Sequence, residues 1–387
     1  MRGKVALGEL CNPSQGQVKE QPDTIIDYID ISSVDNESKS ITGFQTMSFA
    51  EAPSRARKDI KKNNILVSTV RPNMNAVAVY EEETPNKTIV STGFCVLDCK
   101  EYVDYRFVFN FCKSQAFIED MVSQATGASY PAVSDKIVRS ALIPAYSYEE
   151  QCQISCILDT VSKIIVDRKN ELQKLDELIK ARFVELFGKP LLNEKGWEEK
   201  ITGDVCSITD GSHFSPVGME TGYPMLSVRN MRNDGFRYDD CKLVSQEDYD
   251  VLVKQGCKPL KNDVLIAKDG SYFYYGFVVK EEIEQAVLSS IAILRPRLEE
   301  INPEYLCRYM LSSEIVDLVG KNYVTGAAIK RVILKGIKQI PVMLPPIELQ
   351  NEFLDFVRQV DKSKVVVQKA LDEAQLLFDS LMQKYFG

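Results

Sequence analysis

Several short segments of this chain recur at one constant offset of 199 residues, and that repetition constrains the fold more than any local pattern does. Asn63-Asn64-Ile65-Leu66-Val67 returns as Asn262-Asp263-Val264-Leu265-Ile266, and Thr126-Gly127-Ala128 as Thr325-Gly326-Ala327. Gln151 returns as Gln350, and Phe187-Gly188 as Phe386-Gly387. Solenoid units repeat about every 20 to 50 residues, so a period this long is a whole domain with the segment that follows it. At 387 residues and 44% apolar content, the chain has the length for two ordinary cores.

Within each copy, short β-rich runs alternate with turns. In the first they are Asn64 to Val70, Ala76 to Tyr80 and Thr88 to Leu97; in the second, Asp263 to Ala267, Tyr274 to Val279 and Ala286 to Leu294. Helical spacing of Leu306, Tyr309, Met310 and Ile315 predicts a helix over Tyr305 to Gly320, matched by Tyr105 to Val122. Each copy then reaches a proline-marked strand end, Leu142-Ile143-Pro144 or Met343-Leu344-Pro345-Pro346, and enters about 40 residues without an internal proline or glycine. The resulting division is globule 1–148, helix 149–189, globule 190–347 and helix 348–387.

In the first long helix Ile154, Ile157, Val161, Ile164, Leu172, Leu175, Leu178 and Leu186 fall mostly three and four apart, the pattern of a coiled-coil seam. The second carries Phe353, Phe356, Val360, Val367, Leu371, Ala374, Leu377 and Leu381. Two such stripes predict that the helices pair with each other, and a helix of about 38 residues spans roughly 57 Å at the helical rise, suited to a spacer. The expected fold class is therefore mixed α/β (α+β): two α/β globules separated by two long helices.

A formal charge of −8 excludes a uniformly basic nucleic-acid coat. Ten cysteines without a Cys-x-x-Cys pair, beside a single histidine, make neither a zinc set nor a disulfide scaffold. Cys152/Cys156 and Cys95/Cys99 have i, i+4 spacing but lack further ligands, so no metal is expected. Met1-Arg2-Gly3-Lys4 precedes no apolar signal core, and no apolar run approaches the ~18 residues of a membrane span, which predicts a cytoplasmic protein with no membrane partner.

The order globule, helix, globule, helix, with divergent globules and similar helices, resembles the specificity subunit of Type I restriction-modification systems over essentially the whole chain. The residues that carry the likeness are Asp210-Gly211-Ser212-His213-Phe214-Ser215-Pro216, Lys261-Asn262-Asp263-Val264-Leu265 and Leu344-Pro345-Pro346-Ile347-Glu348-Leu349-Gln350. Copy one departs at Asn12-Pro13-Ser14-Gln15-Gly16, which has neither the aspartate nor the histidine. The resemblance implies a non-catalytic reader of double-stranded DNA, each globule taking one half of a split asymmetric site while the helices form an antiparallel coiled coil that sets the unread gap. It also implies partner modification subunits, two in number, that bind S-adenosylmethionine, with restriction subunits as further partners.

On that footing Arg55, Arg57, Lys58, Lys61 and Lys62 are candidates for phosphate contact, with Lys254, Lys258 and Lys261 in the same region of copy two. For base reading, forked and amide side chains in turns are preferred, because arginine pairs bidentately with guanine and asparagine with adenine. Arg71, Asn73 and Asn75 qualify in copy one, and Lys268, Ser271 and Tyr272 stand at the divergent equivalent place. Arg229, Asn230 and the segments after the shared Thr-Gly-Ala, Ser129-Tyr130 and Lys330-Arg331, complete the set, with His213 as a DNA contact or loop-structuring residue. Tyr272 to Tyr275 reads as a strand with buried alternate aromatics.

Two rival readings remain. A coiled-coil scaffold explains the helices but not the paired, divergent globules. An adenine methyltransferase is suggested by Asn302-Pro303-Glu304-Tyr305, but Glu304 breaks the Asn/Asp-Pro-Pro-aromatic motif, and no glycine-rich cofactor loop accompanies it.

Overall fold

A computed structural model describes residues 3–14, 16–19, 23–326 and 330–387. Gln15 of the copy-one stretch and Ala327 of the repeated Thr-Gly-Ala lie outside the described residues. The chain forms two compact units, Met1–Glu171 with Val367–Gly387, and Leu172–Val366. Both mix short strands with helices, and the repeat is visible in their sheets.

In unit one a three-stranded antiparallel sheet runs in the order Phe94–Leu97, Ile65–Ser68, Val77–Val79. Unit two has the corresponding strands Ile291–Pro296, Val264–Ala267 and Gly276–Val278, with Cys206–Asp210 added at the Ile291 edge. The central strand is buried throughout in both, as a strand covered on two faces must be, and only Ser68 at its end in unit one is polar. The repeated Asn63 and Asn262 sit at φ 68° and 71°, in the left-handed region that asparagine tolerates. Each opens the turn into that strand, and the next side chain, Asn64 or Asp263, accepts a backbone N–H three residues back, at 2.9 Å or 2.7 Å.

The predicted run Thr88 to Leu97 divides into Lys87–Ser91 and Phe94–Leu97, which belong to different sheets. The two core helices are also broken, into Tyr105–Lys113 and Gln115–Gln124 in unit one and Pro303–Met310 and Ser313–Asn322 in unit two. Ser114 explains the first break, since its hydroxyl accepts the Phe117 N–H at 3.2 Å and starts a new helix. Tyr272 to Tyr275 is a turn rather than a strand: Phe273 is buried at φ 54°, Tyr274 is exposed, and the strand begins only at Gly276.

The long helices are Tyr148–Phe187 and Ile347–Phe386. Unit one contains the start of the first and the end of the second; unit two contains the end of the first and the start of the second. Within each unit the two segments therefore run antiparallel. In unit one Val161 and Ile165 pack with Leu371, Ala374 and Phe378, and Phe386 is buried against Phe107 at 5.2 Å between ring centroids. In unit two Phe183, Phe187, Tyr305 and Phe353 form one aromatic cluster, with Phe187 4.9 Å from Tyr305 and 5.4 Å from Phe353.

The repeated glutamine is a clamp at each helix entry. Gln151 Nε2 donates to the Tyr146 carbonyl and its Oε1 accepts the Asp104 N–H; Gln350 Nε2 donates to the Pro345 carbonyl and its Oε1 accepts the Asn302 N–H. Each thus ties the long helix to the start of a core helix.

The buried seam differs in register from the sequence expectation. Ile157, Ile164, Leu178 and Leu377 are exposed, while their neighbours Leu158, Ile165 and Ile179 are buried and Phe378 is half-buried. Val161, Val360 and Val367 are buried, and Leu172, Leu175, Phe356, Leu371 and Leu381 are half-buried. The reason is that two large apolar residues stand side by side at each disputed point, so counting apolar spacing alone admits either neighbour. At the surface the two helices are also joined by ion pairs: Lys364 pairs with Asp176 at 2.6 Å and Arg182 with Glu352 at 3.1 Å.

Phe386→Ala should lower stability by about 3–5 kcal/mol, the usual cost of deleting a buried aromatic, whereas Leu377→Ala, 50% exposed, should stay within about 0.5 kcal/mol. Chemical denaturation followed in unit one reads both, and equal losses would contradict the buried register.

Candidate nucleic-acid interface

In each unit the loop leaving the central strand is zipped to the loop that follows Thr-Gly-Ala, and the zipper is the same at the 199-residue offset. In unit one Arg71 N–H donates to the Pro131 carbonyl at 2.7 Å, Val133 N–H to Thr69 at 2.8 Å, and Val70 bridges Ala132. In unit two Gly270 N–H donates to the Lys330 carbonyl at 2.7 Å, Val332 N–H to Lys268 at 2.8 Å, and Asp269 bridges Arg331. The main chain is thus one frame, onto which the two copies hang different side chains.

Unit two hangs charge on it. Asp210 Oδ2 lies 3.3 Å from His213 Nε2 and 3.4 Å from Lys268 Nζ; Lys268 Nζ is 3.5 Å from Asp269, whose other oxygen is 3.1 Å from Arg331 Nε. Lys268 is only 4% exposed, so it neutralises two carboxylates and does not reach a phosphate, which corrects its assignment as a DNA contact. The network ends in two exposed groups, His213 and Arg331, that remain able to meet a ligand. Gly211 is required beside Asp210, because a Cβ there would stand 2.0 Å from the Val287 carbonyl oxygen. Ser271 and Lys330 are exposed next to the network, while Tyr272 is half-buried against the core.

At the zipper positions of Lys268, Asp269 and Arg331, unit one has Thr69, Val70 and Ala132, none of them ionisable. Instead Arg71 stacks on Tyr130, its guanidinium carbon 4.9 Å from the ring centroid, and both are exposed. They line a cleft of about 790 Å³ with Asp35, Asn36, Glu37 and Met74. Asn73 and Ser129 are exposed nearby in sequence. Asn75 is not available: it is buried at φ 47°, its Nδ2 donates to the Cys112 carbonyl at 2.9 Å, and its Oδ1 accepts from Lys39 Nζ at 2.9 Å. Burial beside it pulls the Lys39 ammonium below its ordinary pKa.

The basic run of unit one is likewise divided. Lys58 Nζ donates to the Phe94 carbonyl and to Asp135, both at 2.6 Å, so it is structural. Arg55 pairs with Asp30, and Arg57 lies over Phe49 while donating to the Ala56 carbonyl. Lys61 and Lys62 are exposed. In unit two Arg229 is exposed, but Asn230 accepts from the Ser227 N–H at 3.0 Å and closes a capping box, which makes it a turn residue. Lys258 pairs with Glu284 at 2.6 Å.

Asn302 starts a helix. Its side chain accepts the Glu304 N–H at 2.9 Å, a cap that accounts for the Asn-Pro pair without any amine-holding role. Among the described residues no group of three or more histidine, cysteine, aspartate or glutamate side chains is placed to hold a metal, and no helix is long and apolar enough to cross a membrane. Asp210 is marked in sequence by the motif that carries the family likeness, but Asp269 and the cleft segment Ile31 to Glu37 are not among the sequence candidates. The cleft segment does carry a signal, a stretch dense in serine, aspartate and asparagine of the kind that forms turns.

The family model described as "Type I restriction modification DNA specificity domain" matches the chain twice, over residues 3–176 and 194–374. The chain is similar to the Type I restriction enzyme EcoBI specificity subunit of Escherichia coli, 23% identical over 329 residues, covering 77% of this chain and 68% of that protein. It is 25% identical over 349 residues to the MjaIX specificity subunit of Methanocaldococcus jannaschii, covering 84% and 76%. Two solved structures share the fold over nearly the full length. One belongs to work on complex assembly and conformational transition of the type I R-M system (TM-score 0.62, 23% identity, covering 99% and 97%). The other is the S subunit of a Type-I restriction-modification system from M. genitalium (TM-score 0.57, 16% identity, covering 100% and 96%).

If Lys61 and Lys62 face phosphates, replacing both by glutamine should reduce the slope of log affinity against log salt for duplex DNA by about one per lost contact. Lys58→Gln should leave that slope unchanged and lower stability instead, because Asp135 loses its partner. An unaltered slope in the double variant would remove the pair from the interface.

Proposed function

The chain belongs to the Type I restriction modification DNA specificity family, and from that premise we propose that each of its units reads one half of a split, asymmetric DNA sequence. The observation that carries this reading is the shared loop frame with exchanged side chains: His213 and Arg331 around buried Lys268 in unit two, Arg71 on Tyr130 in unit one. A common backbone with different donors and acceptors is what two different half-sites require, since phosphate contacts position a protein while contacts to base edges carry sequence. Arg229, Ser271 and Lys330 in unit two, and Asn73 and Ser129 in unit one, are exposed and complete the candidate contacts.

As a specificity subunit, the chain works with the other subunits of a Type I restriction-modification system and with DNA, and is not itself the catalyst. Two modification subunits dock on the pair of long helices in this reading, and they bind the S-adenosylmethionine that supplies the methyl group. Restriction subunits add cleavage where the system includes them. The expected site of work is the cytoplasm, where chromosomal DNA is met.

The test is genome-wide mapping of N6-methyladenine in cells expressing the chain with its cognate modification subunit, against cells lacking only the chain. A two-part motif that depends on the chain is the expected result. A folded, active complex that yields no chain-dependent motif would overturn the reading and favour a scaffold.

A further inference from the structure

We propose that Arg71 reads a guanine in the half-site taken by unit one, and that Tyr130 positions its guanidinium for that contact. The inference rests on the half-site reading above and deepens it to one base and two residues. Arg71 has φ 50° and ψ 61°, a left-handed backbone that favours glycine and that bulky residues rarely adopt. The corresponding residue of the other copy is Gly270, at φ 69° and with the same backbone hydrogen bond to the facing loop. The fold therefore accepts glycine here, and an arginine adds strain that the frame does not need.

What the arginine adds is a fixed, exposed set of donors. Its N–H is tied to the Pro131 carbonyl at 2.7 Å and its carbonyl accepts from Met74 N–H at 2.8 Å, so the backbone from which the side chain projects is held on both sides. Its guanidinium lies on the Tyr130 ring, a contact that restrains the plane while leaving the N–H edge open. Arg55, Arg106, Arg295 and Arg331 are each paired with a carboxylate; among the described residues no carboxylate pairs with Arg71. A planar fork held edge-out fits the O6 and N7 acceptors of guanine.

The walls of the cleft separate a base from a phosphate. Asp35 and Glu37 line it together with Arg71 and Tyr130. Asp35 Oδ1 accepts from the Ser38 N–H and Glu37 Oε1 lies 3.6 Å from Lys169, which leaves the second oxygen of each carboxylate to repel a phosphate and to accept a hydrogen bond from the amino group of cytosine. The cleft chemistry thus suits a G·C pair presented by its edge.

The experiment is competition binding by the chain assembled with its modification subunits, using the mapped site and duplexes with each base pair of the unit-one half replaced in turn. The parent is expected to discriminate roughly ten- to hundredfold at one guanine, the range for a bidentate contact. Arg71→Gly should bring discrimination at that base pair close to one, preserve it elsewhere in both halves, and unfold at a temperature no lower than the parent. Tyr130→Ala should weaken discrimination at the same base pair, and Tyr130→Phe should retain it. Arg71→Gly that keeps full discrimination everywhere, loses it evenly across the site, or melts several degrees lower would overturn the assignment while leaving the half-site reading intact. A parent complex that does not distinguish its site from unrelated duplex would instead sink the half-site reading itself.

Discussion

Neither copy of the repeat closes its own core, and the rest of the structure depends on that fact. The helix that follows the first globule ends with Phe187 buried among Tyr305 and Phe353 of unit two; the helix that follows the second ends with Phe386 buried against Phe107 and Phe111 of unit one. Each buried phenylalanine is worth about 1.5–3 kcal/mol of transfer free energy, and each brings a helix end into a core built by distant sequence. Such a contact is long-range by construction. The glutamine clamps at Gln151 and Gln350 then set the direction in which each helix leaves, by satisfying main-chain groups at the helix entry.

Upon that scaffold the candidate interface is a question of side chains alone. Main-chain hydrogen bonds at matched positions hold the paired loops in both units, so the geometry of the frame does not depend on what it displays. Unit two uses the frame to suspend a network of alternating charge whose buried member, Lys268, is balanced by two carboxylates. Unit one has Thr69, Val70 and Ala132 where that network has Lys268, Asp269 and Arg331, and presents a cation on an aromatic ring. Specificity in such a design changes by substitution in the loops and leaves the cores untouched.

The sequence made the repeat, the mixed α/β class and the two long helices legible, because each leaves a periodic or positional mark. It was less informative about individual side chains. Asn75 has the composition of a base reader but lies buried between Cys112 and Lys39. Lys58 looks like a member of a basic patch but is bound by Phe94 and Asp135, the latter 77 residues further on. Ile157 and Leu158 are equally apolar neighbours, and only the partner helix selects the second.

The sequence by itself determined that there are two related domains, where each long helix begins and ends, and that the loops of the two copies differ. Those properties follow from local chemistry: prolines and glycines that stop elements, apolar spacing, and identity at a constant offset. Only the tertiary structure decided which helix face is buried, that each helix end completes the core of the unit it enters, and which candidate side chains are free to meet DNA. These depend on partners far away along the chain, and a carboxylate or carbonyl that will claim a lysine leaves no mark on the lysine's own neighbourhood in sequence.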